Sequence, residues 1–197
     1  QVFARWQEAL ERARPDIVVI ATPPHLHHDI ALAALAGGAH VLCEKPVAMT
    51  QAEARAMTDA ARRAGRVAMT GFNWRFPAAM QRMHAMVRDG AVGRVLHVSG
   101  RWFGARWADE QSAATWRMDR AQAGHGAMGD MGVHLVDLVR WVCGDVRRLV
   151  AHAGIAYPRT VPGSAAAADA EDFASVIAEL DSGAEATLMV SRAAHGR

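Results

Sequence analysis

The hydrophobic positions in the first third of the chain occur in short runs that are separated by helical patterns. The run from Asp16 to Ala21 is continuous and rich in β-branched residues, which predicts a strand buried on both faces. After it we expect a helix at 25–36 that ends at Gly37, a strand at 40–44, a helix at 50–65 with a Thr50–Glu53 capping box, and a strand at 67–71. This repetition of strand and helix predicts a parallel sheet with right-handed crossovers.

The remainder of the chain has a different order of elements. Its patterns predict helices at 77–89 and 127–142, an irregular stretch at 104–125, and strands at 95–103, 148–155, 175–179 and 186–190. A hairpin at Asp181–Gly183 joins the last two strands, and the alanine-rich stretch Ser164–Ala170 is expected to be a surface loop. These elements predict an α+β domain with a mostly antiparallel open sheet, and a boundary near Asn73–Pro77 that gives domains 1–74 and 75–197.

Composition narrows the class of protein. With 51% hydrophobic and 21% charged residues in 197 positions, the chain is typical of a globular protein. The net charge of +2 is small and the basic residues are scattered, so we expect no nucleic-acid partner. No apolar run reaches the roughly 18 residues that span a bilayer, and the chain begins without a signal peptide, so we expect no membrane partner and a cytoplasmic location. Cys43 and Cys143 are expected to be free buried thiols, with a disulfide between them as the alternative.

The tetrapeptide Cys43-Glu44-Lys45-Pro46 is the first candidate for chemistry. It follows a buried parallel strand, and ligands of open α/β sheets bind at the carboxyl ends of the strands. Lys45 could polarise a substrate oxygen there, and a neighbouring cationic nicotinamide would lower the pKa of a lysine. The alternative is a solvated lysine at the end of a strand.

A turn and three histidines follow the first strand. Thr22-Pro23-Pro24 leads into His25, His27 and His28, and a turn before a helix can present backbone amides to a nucleotide. The three histidines lack the i, i+4 spacing of a helical zinc pair, and no cysteine or acid is placed to complete a ligand shell. We therefore assign no metal.

The second candidate is the segment Gly129–Leu138. On an α-helix, Asp130 and His134 lie one turn apart on one face, so that a carboxylate can orient an imidazole and raise its basicity. The alternative is an acid that favours the helix dipole together with a core histidine. For Asp137 we favour a structural role, with Arg140 as its surface partner. A separate apolar stripe, which is expected to face the core, consists of Met131, Leu135, Leu138 and Val142.

Six motifs in register along nearly the whole chain resemble those of the Gfo/Idh/MocA family, which includes glucose–fructose oxidoreductase and inositol dehydrogenase. In chain order they are Ala21-Thr22-Pro23, His27, Glu44-Lys45-Pro46, Gly71-Phe72-Asn73-Trp74-Arg75-Phe76, Trp116-Arg117 and Gly129-Asp130-x-Gly-x-His134-x-x-Asp137. The resemblance implies a Rossmann-type parallel sheet domain, followed by a domain whose open sheet often mediates oligomers. The expected fold is therefore α/β, with a truncated Rossmann-type domain followed by the α+β domain.

The resemblance also implies roles for individual residues. It implies NAD or NADP as cofactor, with Lys45 near the nicotinamide, and it makes Asp130 and His134 the acid and base on the substrate side. Residues expected to line the cofactor are Thr22, Pro23, His27, Glu44, Lys45 and Arg75. Residues expected to bind the substrate are Asn73, Trp116, Arg117, Asp130 and His134.

The sequence departs from the family pattern in three places. No G-x-G-x-x-G turn precedes Asp16, and neither does an acid that would read the ribose, so we expect the chain to be truncated at its start. The final sheet also lacks strands that the family would supply, which indicates truncation at the end. Finally, His125 interrupts the glycine run before the Asp130 helix, where it either alters the substrate pocket or is neutral.

The leading hypothesis is an NAD(P)-dependent dehydrogenase that acts on a sugar, a polyol or a related cyclic hydroxy compound. One alternative is an NAD-dependent glycosidase that uses transient oxidation, and another is a non-catalytic binding or assembly protein. We expect this fragment alone to be inactive and to bind dinucleotide weakly. The complete protein is expected to form a homo-oligomer, either a dimer or a tetramer.

Overall fold

The computed structural model describes residues 1–160 and 167–195. It separates into two compact units. Unit one comprises Gln1–Gly71 with Ala121–Gly124, and unit two comprises Phe72–Arg120 with His125–Arg197.

Unit one contains a three-stranded parallel sheet, as predicted. Its strands lie in the order β1, β2, β3, and Ile20 at the end of β1 is level with Cys43 at the end of β2. The loops that follow these two strands are therefore neighbours. The elements of unit one are α1 (Trp6–Ala13), β1 (Ile17–Ile20), α2 (His27–Ala36), β2 (His40–Cys43), α3 (Gln51–Ala64) and β3 (Ala68–Thr70).

One face of this sheet is buried and the other is exposed. Ile20, Val41 and Cys43 pack with α2 and α3 in the core of unit one. The prediction that the first strand is buried on both faces was wrong, because Ile17 and Val19 are 64% and 65% exposed. Alternate residues of a strand point to opposite faces, and no described helix covers the face of Ile17 and Val19.

The capping box of α3 is present with one difference from the prediction. Thr50 Oγ1 accepts from the backbone N–H of Glu53 at 3.2 Å, as expected of an N-cap threonine. The Glu53 carboxylate reaches one residue further back and accepts from Met49 N at 2.9 Å. Both contacts fix the start of the helix that follows the Lys45 loop.

Unit two contains a four-stranded mixed sheet in the order β4, β7, β6, β5. The β5–β6 and β6–β7 pairs are antiparallel and β4 pairs with β7 in parallel, so the predicted mostly antiparallel sheet is confirmed. The elements are α4 (Ala78–Arg88), β4 (His97–Phe103), α6 (Val133–Cys143), β5 (Val146–Gly154), β6 (Phe173–Leu180) and β7 (Glu185–Ser191), with the short α5 (Arg120–Ala123) lying across the limits of the two units.

The helix expected at 127–142 is continuous but not uniform. It opens with a π-helical turn over Met128–Gly132 before the α-helical part, α6, begins at Val133. Its core face is also shifted from the prediction. Met131, Leu135 and Val139 are buried against the sheet, whereas Leu138 and Val142 are only half-buried.

The prediction of a surface loop at Ser164–Ala170 was wrong for its second half. Residues 164–166 lie outside the described part of the chain. Ala167 forms an isolated bridge with Thr160, and Ala168 and Ala170 are 8% and 1% exposed. These small side chains are buried because the segment packs under the loop that contains Met118, whose carbonyl accepts from the Asp169 and Ala170 N–H groups.

Candidate active site

The loop after β1 contains a buried polar atom that can receive a ligand. Thr22 is half-buried, and its hydroxyl oxygen is fully buried with no hydrogen-bond partner among the described residues. Leaving a buried hydroxyl without a partner typically costs about 1–3 kcal/mol. Thr22 with Pro23 therefore fits a site that a polar ligand group completes.

His27 joins the two strand-end loops of unit one. Its ring is fully buried, with Nε2 lying 2.9 Å from the Thr22 carbonyl oxygen and Nδ1 lying 2.9 Å from the Pro46 carbonyl oxygen. Thr22 follows β1 and Pro46 follows β2, so the ring connects both loops at the carboxyl ends of their strands. Because carbonyl oxygens occupy both nitrogens, the geometry favours an indirect role for His27 at a cofactor site.

The loop after β2 contains Glu44 and Lys45. The Glu44 carboxylate packs against Gly71, where a Cβ atom would lie 3.3 Å from Oε1, and Oε2 accepts from Lys45 N at 3.2 Å. Lys45 is half-buried. It is also the only lysine among the 22 basic residues of the sequence. Lysine presents a compact ammonium on a flexible stem and arginine a broad planar guanidinium, so Lys45 offers a point charge that no other basic residue of the sequence offers.

The other two histidines of the turn contact different residues and do not share a partner among the described residues. His25 Nδ1 lies 3.2 Å from the Gln122 carbonyl oxygen, and His28 pairs with Asp29 at 2.8 Å. Within residues 1–160 and 167–195, no group of three or more His, Cys, Asp or Glu side chains could hold a metal ion.

In unit two, His134 lies among aromatic rings. The side chain is 6% exposed, and its ring stacks on Trp74 with centroids 5.0 Å apart and an angle of 24° between the planes. Phe72 approaches it edge-on at 6.0 Å and Trp102 lies 5.7 Å away. Nδ1 of His134 is fully buried.

Asp130 lies in the π-helical turn directly before α6 and is half-buried. π-Helical turns often occur at functional sites. The predicted pairing of Asp130 with His134 stays a prediction.

The prediction that Arg140 is the partner of Asp137 was wrong. Asp137 is 8% exposed and binds Arg75, whose Nε and Nη2 donate to the two carboxylate oxygens at 2.8 and 2.5 Å. Arg140 instead pairs with Asp145 at the surface. Residues three or four positions apart on a helix can pair, but a residue from another element can take the place of that partner. Here Asp137 binds Arg75, which lies in the turn at Asn73–Arg75.

The remaining predicted residues lie in turns of unit two. Asn73 is exposed at the start of its turn. Trp116 and Arg117 are half-buried, and the Arg117 guanidinium lies 4.4 Å from the centroid of the Trp116 ring. His125 is exposed, and its Cβ would lie 2.8 Å from a Cβ added to Gly129. The glycine at 129 therefore makes room for the histidine at 125.

A buried group of charges, which no sequence motif predicted, lies beside these turns. Arg192 donates to Asp172 at 2.8 Å and to the Arg117 carbonyl at 2.9 Å, with both side chains 2% exposed. Arg159 lies 3.6 Å from the same aspartate and donates to the Trp107 carbonyl at 2.8 Å. These contacts hold the irregular loop that contains Trp116 and Arg117.

Glu171 was also missed. It precedes Asp172, and its buried carboxylate accepts backbone N–H groups at the start of the helical segment that contains Asp130 and His134. A signal was available in the adjacent acids Glu171-Asp172, which directly precede an apolar strand pattern. Acids in that position are buried only when donors from elsewhere satisfy them.

Two family models match the chain. Residues 1–72 match the oxidoreductase family model with an NAD-binding Rossmann fold, and residues 80–197 match the GFO/IDH/MocA C-terminal domain. The chain belongs to the GFO/IDH/MocA family. The resemblance drawn from the sequence motifs and the predicted fold class are thereby confirmed.

Several relatives of this GFO/IDH/MocA chain are sugar dehydrogenases. It is 32% identical to levoglucosan dehydrogenase of Pseudarthrobacter phenanthrenivorans over 98% of this chain and 53% of the relative. It is 33% identical to D-glucoside 3-dehydrogenase of Escherichia coli over 70% of this chain and 38% of the relative. The chain thus spans about half the length, or less, of these curated relatives.

Solved structures share the fold. An oxidoreductase domain protein from Kribbella flavida superposes with a TM-score of 0.92 at 37% identity, covering 98% of this chain and 53% of that one. Levoglucosan dehydrogenase in complex with NADH and levoglucosan gives a TM-score of 0.93 at 33% identity, covering 99% and 52%. Among the helices that the structure describes, none is both long and apolar enough to cross a membrane.

Proposed function

We propose that the whole protein to which this chain belongs is an NAD(P)-dependent dehydrogenase that oxidises or forms a CH–OH group of a sugar, a polyol or a related cyclic hydroxy compound. The observation that carries the proposal is Lys45, the only lysine of the sequence, which lies at the end of a parallel strand in the part that matches an NAD-binding Rossmann model. The relatives that oxidise levoglucosan and D-glucosides support the substrate class.

The residues of unit one fit a dinucleotide cofactor. The buried hydroxyl of Thr22 offers a hydrogen bond, and Pro23, Glu44 and Lys45 lie in the same pair of neighbouring loops. Arg75, which the family resemblance assigns to the cofactor, already binds Asp137 through Nε and Nη2, so any further contact would use the N–H groups of Nη1 or the second N–H of Nη2. The choice between NAD and NADP stays open.

A bound nicotinamide supplies the acceptor or donor of the hydride. The chain supplies the proton chemistry and the charge. We assign to His134 Nε2 the proton of the substrate hydroxyl, to the Lys45 ammonium the stabilisation of the developing alkoxide, and to Asp130 the orientation of the imidazole. Trp74 fixes the plane of the His134 ring by stacking.

Substrate contacts are assigned to the turns of unit two. Trp116 and Arg117 offer an aromatic face with a guanidinium over it, and Asn73 offers an exposed amide. Aromatic faces pack against the apolar faces of sugar rings, while guanidinium and amide groups bind hydroxyls. This combination fits a neutral polyhydroxylated ring.

The test is made on the full-length protein. Levoglucosan, a D-glucoside and D-apiose are each incubated with NAD+ or NADP+, and reduced cofactor is measured by absorbance. We expect turnover with at least one compound, a loss of about 10²–10⁴-fold in Lys45→Arg, and cofactor affinity unchanged within a few-fold. Arg66→Met, at an exposed basic residue of unit one, is the control and should keep wild-type turnover. Cleavage of a glycoside without net formation of reduced cofactor, or full activity in Lys45→Arg, would contradict the proposal.

We also propose that the complete protein is a homo-oligomer in the cytoplasm. The open face of the unit-two sheet exposes Val150, Ile177 and Met189 by 67%, 51% and 37%, which is an apolar surface suited to a second copy. The free thiols of Cys43 and Cys143 are typical of a reducing compartment. Sedimentation of the wild type against Ile177→Lys tests the assembly, and an unchanged mass would contradict this interface.

A further inference from the structure

Glu171 contacts the beginning of the helical segment that contains Asp130 and His134. Its side chain is 8% exposed, and Oε1 accepts from Gly126 N at 2.9 Å and from Met128 N at 3.1 Å. The Glu171 backbone carbonyl accepts from Ala127 N at 2.8 Å. One residue thus satisfies three consecutive N–H groups.

These three groups need a partner from outside the helix. The first four N–H groups of a helix have no intrahelical acceptor, and a carboxylate there also interacts favourably with the helix dipole. Asp130 N, two residues after Met128, donates to Gly126 O at 3.0 Å, and Gly126 is a residue whose own N–H group Glu171 binds. The position of Asp130 is therefore tied to Glu171 through one intermediate residue.

The backbone of Glu171 approaches Gly126 closely. A Cβ added to Gly126 would lie 1.9 Å from the Glu171 carbonyl oxygen, so only glycine permits the contact. The second carboxylate oxygen, Oε2, accepts from Arg120 Nη2 at 3.2 Å. Arg120 follows the turn with Trp116 and Arg117, and its backbone N–H donates to Asp169 at 2.7 Å. The Glu171 carboxylate therefore contacts both the start of the segment with Asp130 and His134 and Arg120, two residues after the turn with Trp116 and Arg117.

We propose that Glu171 is a positioning residue for the dehydrogenase reaction, which holds the Asp130–His134 segment in register without touching the substrate. The inference rests on the proposed function for its kinetic consequence. Misplacement of reacting groups by about 1 Å can cost on the order of 100-fold in rate. A purely structural acid at the same place would lower stability and leave the turnover of the folded enzyme unchanged.

The experiment compares Glu171→Ala and Glu171→Gln in the full-length enzyme, with Glu179→Ala as control. Glu179 lies in β6, the strand that follows Glu171, and binds Arg147 and Arg148 at the surface. Glutamine keeps an acceptor oxygen for the Gly126 and Met128 N–H groups but loses the charge that binds Arg120.

We expect Glu171→Ala to lower kcat per folded molecule by about 10–100-fold while KM for the cofactor stays within about twofold. Glu171→Gln should recover part of the lost kcat, and Glu179→Ala should match the wild type. A kcat per folded molecule that is unchanged in Glu171→Ala would overturn the proposal, whatever happens to its melting temperature.

A second measurement does not depend on turnover. Amide hydrogen exchange of peptides that cover residues 126–134 should become faster in Glu171→Ala and stay at the wild-type rate in Glu179→Ala. Absence of dehydrogenase activity in the wild type would contradict the proposed function, and the exchange rates would then still decide whether Glu171 holds this segment. Unchanged exchange in Glu171→Ala would overturn the positioning role.

Discussion

Arg75 and Asp137 form a two-point salt bridge between residues that are 62 positions apart in the sequence. The guanidinium Nε and Nη2 each donate to a different carboxylate oxygen, and the hydrogen bond to Asp137 raises the pKa of Arg75 above its usual value. The Arg75 guanidinium also lies 5.8 Å from the Trp141 ring. The bridge therefore ties the Asn73–Arg75 turn, which contains Trp74, to the helix that contains His134.

Asp137→Asn should destabilise the chain because it removes the charge from a buried bidentate pair. We expect the free energy of unfolding in urea to fall by about 1–3 kcal/mol, the smaller values applying because the Arg75 side chain is 41% exposed. Asp89→Asn, in the exposed Arg88–Asp89 pair, is the matched control and should change stability by less than about 0.5 kcal/mol. Equal losses of unfolding free energy in the two variants would show that the burial of Asp137 does not make its ion pair more stabilising.

His27→Leu should weaken cofactor binding although the ring has no nitrogen left for the cofactor. The change removes both carbonyl contacts, so the Thr22 and Pro46 loops lose their connection. We expect the Kd for NAD+ in the full-length protein to rise about tenfold, as measured by calorimetry. His28→Leu, at a half-buried neighbour that pairs with Asp29, should bind within twofold of the wild type. Wild-type affinity in His27→Leu would mean that the two loops hold their positions without the ring.

The pH dependence of the reaction should identify the base. With His134 as the base for alcohol oxidation, kcat/KM should rise with pH across the range in which histidines titrate. His134→Ala should remove this rise and cost about 10²–10⁴-fold in rate, and Asp130→Asn should keep the fold but lower the rate. The profile is also recorded for Lys45→Met. If the rise persists without His134 and vanishes only without Lys45, then lysine is the base and the two roles are reversed.

Stability at alkaline pH should depend on Cys43. Burial, and next the nearby charge of Glu44, raises the pKa of this thiol from 9.0 to about 12. The unfolded chain then ionises its thiol at a lower pH than the folded chain, so the stability that the neutral thiol confers is lost as pH rises from 9 towards 12. The loss is at most about 1.4 kcal/mol per pH unit.

The measurement is urea unfolding at several pH values in that window. Cys43→Ala should show a flatter decline of the unfolding free energy than the wild type. Burial also raises the pKa of Cys143, so Cys143→Ala is measured separately to remove its contribution of the same sign. Identical slopes for the wild type and Cys43→Ala would refute the expectation.

The sequence predicted the elements better than it predicted their contacts. From β1 to β3 the order of strands and helices was predicted from local periodicity, because apolar spacing differs between a strand and a helix, whereas α1 at Trp6–Ala13 was not predicted. Periodicity could not show the π-helical turn at Met128–Gly132, since five residues are too few to distinguish its spacing from that of an α-helix. It also could not show that Ile17 and Val19 are exposed, because a continuous apolar run states only which faces are apolar.

The sequence motifs predicted which elements contain three of the candidate site residues. Lys45, Asp130 and His134 lie on the elements expected for them. Glu171 and Asp172 were missed because their partners lie 13 to 51 residues away, so the two adjacent acids did not by themselves show which donors bury them. Asp137 was assigned to Arg140 because helical spacing offers only near neighbours, whereas the observed partner comes from another turn.

The buried charges around Asp172 determine how the irregular loop at 104–119 behaves. A loop of this length beside a substrate site is commonly a lid that opens and closes during turnover. Here Arg159 and Arg192 donate to carbonyl groups at Trp107, Asp109 and Arg117 while both face one buried aspartate, so lifting the loop would leave charged groups without their partners. These contacts therefore hold the loop in place, and under the proposed function selection among substrates would take place on a preformed surface rather than by closure around the ligand.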